Sequence, residues 1–167
     1  MRQVALLMVP LALACASDGE LKDGSFRDAK VAYRVGEPGA GWRQLDLPSA
    51  NVAWFNDGLS ASLMANSHCD GVKDAPLAGL TEDLLMGLTD RQVVSQTVRP
   101  CSRREALETI VVGKLDGVER KLALLVLKKD GCVYDLVLGA GPAQFDQALI
   151  AFGRVRDSFD VDSRVGH

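Results

Sequence analysis

The chain has 167 residues, 47% of them hydrophobic and 25% charged, with 19 Lys+Arg against 22 Asp+Glu. Those proportions suit one folded domain and exclude a disordered, collagenous or coiled-coil chain. A net charge of −3 supplies no basic stripe for nucleic acid, so no nucleic-acid partner is expected.

The chain opens with Met1-Arg2-Gln3, a short positive start, followed by an apolar run from Val4 to Ala14 with one proline. As a helix that run rises only ~16 Å, about half of a ~30 Å hydrocarbon core. Residues 1–14 therefore read as a signal peptide rather than a membrane span. Ala12-Leu13-Ala14-Cys15 resembles the lipobox of bacterial lipoproteins, in which the cysteine becomes the lipid-bearing first residue. Ala12 stands where that motif usually has Leu, and a plain secretory signal cut near Ala14 or Ala16 is the competing reading. The resemblance implies a lipid on Cys15 and a periplasm-facing place in a bacterial envelope. Ala16-Ser17, with no Asp at the second position, favours the outer membrane. Residues 15–29 are polar, Gly-bearing and aperiodic, which predicts a flexible tether.

One α+β domain is expected over residues 30–160. Val31, Tyr33 and Val35 alternate with polar neighbours before a Gly/Pro-rich break at 36–41. Residues 42–47 and 52–55 read as strands. Asn56-Asp57-Gly58 signals a hairpin, after which Leu59, Ala61, Leu63 and Ala65 alternate with Ser60, Ser62, Met64 and Asn66. Asp74-Ala75-Pro76 opens a helix, with Asp74 as its cap, and Leu77, Leu80, Leu84, Leu85 and Leu88 form its apolar stripe.

The strongest local signals are Asp116-Gly117 and Asp130-Gly131, both two-residue hairpin turns. Tight turns there fix the register: 115 pairs with 118, 111 with 122, 127 with 134, and 125 with 136. The result is a three-stranded antiparallel meander near 104–115, 118–129 and 132–139. Its middle strand is apolar on both faces, so both must be covered. From Gly141-Pro142 onward, Phe145, Leu149, Phe152, Val155 and Phe159 fall at helical spacing, giving a core-facing helix. Residues 161–167 are expected to fray.

With Cys15 assigned to lipid, Cys69, Cys101 and Cys132 remain, allowing three pairings or three free thiols. Cys69 ends one strand and Cys132 opens another, where antiparallel neighbours meet, so Cys69–Cys132 is the preferred bridge.

Gly41-Trp42, Tyr134-Asp135-Leu136-Val137 and the run from Phe145 to Phe159 resemble the PsbP/Mog-like fold. That fold is an α-β-α sandwich found in small envelope lipoproteins and in an extrinsic subunit of photosystem II. The segments 76–90 and 128–135 are also similar to those of small bacterial lipoproteins of this type. The resemblance implies an accessory role at a membrane surface and carries over no active site.

No H-E-x-x-H, G-x-S-x-G, Walker loop or G-x-G-x-x-G is present. His68 is the one candidate general base, and no cofactor or metal is expected. Trp42, Trp54 and Asp135 are candidate cleft residues, Asp135 because it interrupts an apolar strand. The expectation is a non-enzymatic, membrane-anchored envelope module that binds a protein partner. The alternative is a small-molecule or lipid carrier using a cleft between the sheet and the helix at 76–88.

Overall fold

The computed structural model describes residues 19–71 and 74–162. The stretch expected as a signal peptide, Cys15 and residues 163–167 lie outside the described residues. Two antiparallel sheets and two helices make up the described part.

The small sheet pairs β1 (Glu20–Lys22), β2 (Ser25–Arg27), β3 (Ala32–Arg34) and β11 (Asp160–Val161), in that order. The large sheet runs β4 (Arg43–Leu45), β5 (Val52–Asn56), β6 (Ala61–His68), β10 (Cys132–Ala140), β9 (Val118–Lys129), β8 (Arg104–Leu115) and β7 (Leu88–Cys101). Helix α1 covers Leu77–Leu84 and helix α2 covers Pro142–Ser158.

The register inferred from the two Asp-Gly turns is the one observed. Leu115 pairs with Val118, Val111 with Leu122, Leu127 with Tyr134 and Leu125 with Leu136. Both residues of each turn have positive φ, about 50° for the Asp and 78° for the Gly, as a type I′ turn requires. The meander carries a further strand. Residues 88–101 form β7, joined to β8 through Ser102-Arg103, whose φ values are also positive.

Alternation sorts the large sheet's side chains onto two unlike faces. One face presents Trp54, Leu63, Ala65, Leu125, Leu127, Leu136 and Leu138 to α2, which answers with Phe145, Ala148, Phe152 and Val155. The small sheet closes the end of that face. Its Tyr33 ring lies 5.1 Å from Phe26, 5.2 Å from Phe159 and 5.9 Å from Tyr134. The opposite face holds a second cluster of Leu85, Leu88, Val111 and Leu124 beneath α1. Gly113 makes room for it, because a Cβ there would sit 2.7 Å from the Leu88 Cγ.

Four expectations are corrected. The stretch expected as a tether is folded from residue 19: β1 and β2 pair, and Phe26 is buried. An aromatic ring offered to the Tyr33 cluster outweighs the polar composition around it. Helix α1 stops at Leu84 rather than reaching 88, and Leu88 opens β7 instead. Pro76, with extended backbone, occupies the cap position, and Asp74 pairs with the Lys128 ammonium at 3.0 Å. The tail also starts later than expected, since Val161 is buried beside Tyr33's strand.

Candidate functional site

The three residues expected to line a cleft do not share one. Trp54 is 4% exposed and packs into the core under α2. Trp42 is half-buried on the rim of a hollow beside the outer turns of α2, near Ile150 and Arg154. Asp135 points to the other face of the sheet, opposite Asn66. Alternation along β10 explains the separation, because Tyr134 and Leu136 claim the α2 side and leave Asp135 the α1 side.

That α1 side is only half covered. A helix of 8 residues spans about 12 Å, enough to roof β8 and β9 but not β10, β6 and β5. The uncovered part is a groove of about 320 Å³. Phe55, Ser62, Gly139 and Leu122 lie side by side across its floor in consecutive register. The middle pair is small, so the floor is dished between two large side chains. A Cβ on Gly139 would sit 3.3 Å from the Leu122 Cδ2 and 3.4 Å from the Ser62 Oγ. Met64 and Val137 extend the floor, Leu84 and Met86 form a wall at the end of α1, and Leu115 and Arg120 complete the rim.

The apolar rim projects into solvent. Met86 is 77% exposed, Leu115 47% and Leu84 37%. Continuing along β6, the same face turns polar at Asn66 and His68. The Asn66 Nδ2 donates to the Asp135 Oδ1 at 3.0 Å, and the Asn66 Oδ1 accepts from the Asn51 backbone N–H. Asp135 is 7% exposed. Burial holds its carboxyl above the usual carboxylate range, opposed by the Asn66 hydrogen bond and by nearby His68. His68 itself is exposed at the strand end. This lining offers hydrocarbon contact, two hydroxyls and one guanidinium, a surface suited to binding.

The carrier alternative placed its cleft between the sheet and the helix at 76–88; the groove lies beside that helix instead, and its floor residues were not singled out from the sequence. Their signal was present: Ser62 and Met64 form the less apolar half of the β6 alternation. The preferred bridge is present too, as a Cys69–Cys132 disulfide that closes a span of 63 residues at the far end of the same strands.

No family model and no curated protein sequence matches the chain. Solved structures do. Cyanobacterial PsbP from Synechocystis superposes with a TM-score of 0.54 at 16% identity, over 93% of this chain and 99% of that one. The chain has a PsbP-like fold. LpqN of Mycobacterium tuberculosis, described as involved in cell envelope biogenesis, gives a TM-score of 0.57 at 15% identity. That match covers 78% of this chain and 84% of LpqN. At these identities the likeness is one of fold.

Proposed function

We propose that this protein is a non-enzymatic accessory module of a bacterial cell envelope. In this reading it is held to a membrane through a lipid on Cys15 and grips a protein partner in the groove beside α1. The observation that carries the reading is the outward apolar rim of Met86, Leu115 and Leu84 around a dished floor. Apolar surface left in water forgoes roughly 25 cal/mol per Å², and a contiguous patch of it marks a contact site. Methionine on such a rim adapts its shape to an incoming side chain. The envelope setting is supported by the signal-like start and by LpqN's description. No helix among the described residues is long and apolar enough to cross a membrane.

A carrier role is the second reading, favoured by the apolar lining. At about 320 Å³ the groove is at the low end for ligand pockets, which enclose about 70–90% of their ligand. This one is open along its length, which suits a protein side chain better.

The test is in-cell photo-crosslinking from a reactive residue at position 118, read beside Met86→Asp and Gly139→Leu. A reproducible adduct, reduced at least about tenfold by either substitution, is expected, a loss of roughly 1.4 kcal/mol in affinity. An adduct indifferent to both variants sinks the groove as the contact. An apolar small molecule recovered from the purified protein, with no adduct, moves the assignment to the carrier.

A further inference from the structure

If Cys15 carries a lipid, its distance from the folded domain sets how far the domain can stand from its membrane. The described structure begins at Gly19. Its backbone lies against the Phe26 ring so closely that a Cβ would fall 2.3 Å from the ring's Cζ. From there β1 pairs with β2, β2 with β3, and β3 with β11. Four residue steps separate Cys15 from Gly19, which reach at most ~14 Å when fully extended. Strands β8 and β9 have 12 residues each and run ~40 Å. The leash is therefore about a third of the domain's own length.

The exit point is also localised. Gly19 shares a surface hollow with the 46–51 loop and with Asn66, Ser67 and His68 at the end of β6. The Cys69–Cys132 bridge ties that same end. The groove's Ser60, Leu115 and Arg120 lie at the opposite end of the strands.

From this geometry we infer that the Gly19 end is a bilayer-facing surface, with the 46–51 loop riding against lipid headgroups. The groove then stands no more than roughly 54 Å above the membrane, within reach of a partner seated in that same membrane. This rests on the proposed lipid at Cys15.

The experiment uses full-length protein extracted from membranes and reconstituted in phosphatidylcholine vesicles containing a fluorescent headgroup acceptor. A donor is placed on Ser49→Cys or Val118→Cys, each with Cys101→Ser. A third form carries 24 Gly/Ser residues inserted between residues 18 and 19, adding an r.m.s. reach of about 27 Å. Energy transfer from position 49 is expected to exceed that from position 118. It should fall at least about twofold on insertion of the linker. Equal transfer from both positions, or transfer from position 49 that ignores the linker, overturns the inference. Intact mass of the same samples separates the two failures. An unacylated Cys15 removes the anchoring reading, and the inference with it, whereas acylated protein without the expected transfer removes the inference alone.

Discussion

The two faces of the large sheet are made by the same strands and are covered very differently. On one, α2 spans Pro142–Ser158, and the small sheet closes what the helix leaves open. On the other, α1 spans Leu77–Leu84 and leaves the floor of β5, β6 and β10 half-exposed. The fully covered face is where stability resides, since cores packed to near-crystal density lose contacts with every methylene removed. The half-covered face keeps apolar surface in water, a cost that the proposed partner would relieve. Covering and leaving open are thus two uses of one β-sheet.

Several substitutions bear on this contrast, from the largest expected effect downward. Removing the ring in Phe152→Ala empties a fully buried site and should cost about 3–5 kcal/mol by chemical denaturation. The bridge is also on this face. Replacing both cysteines in Cys69→Ala with Cys132→Ala reopens a loop of 63 residues and should cost about 4 kcal/mol. Beneath α1, Leu85→Ala should cost about 2 kcal/mol, because a roof open on one side relaxes into the gap. A loss at Leu85 equal to that at Phe152 would break the contrast between the faces.

The smallest effect is a titration. The folded-state pKa of Asp135 is raised by burial, so the folded protein holds this proton more tightly than the unfolded chain. That contribution to stability is fully present below the unfolded carboxylate value near 4 and is lost as pH rises through the folded one. Asp135→Asn keeps the acceptor for Asn66 and removes the titration. Its stability relative to the unmodified protein should therefore climb from pH 4 toward neutrality and then level off. A difference that stays flat with pH would show that Asp135 is solvated in the folded state.

Legibility from the sequence followed the locality of the signals. Asp116-Gly117 and Asp130-Gly131 carry their conformation in two residues, and three strands followed from them in the correct register. Helix α2 was equally readable, because its aromatic spacing is set by one face of one element. Strand β7 was not. Its turn uses Ser102-Arg103 without a glycine, and register shifts between Thr89 and Gln92 and between Val93 and Ser95 erase its alternation. The start of the domain was misread for a different reason. Phe26 is a lone apolar residue among polar neighbours, and its value comes from Tyr33 and the cluster beyond it, contacts that no local window shows. The groove fell between these cases: the alternation along β6 was visible, but the shortness of α1 was not.

The order β1-β2-β3-β11 places strands from the start and the end of the domain in one small sheet. Lys129 and Ser102 fasten the late strand: the buried ammonium donates to the Val161 carbonyl at 2.7 Å, and the Val161 N–H donates to the Ser102 Oγ at 2.8 Å. A chain synthesised from its amino end can pair β5 through β10 as they emerge. It cannot seal the aromatic cluster around Tyr33 until residue 161 has been made. Until then the apolar floor beneath α2 lacks its end wall. Folding of the described domain is therefore completed by its late strand β11.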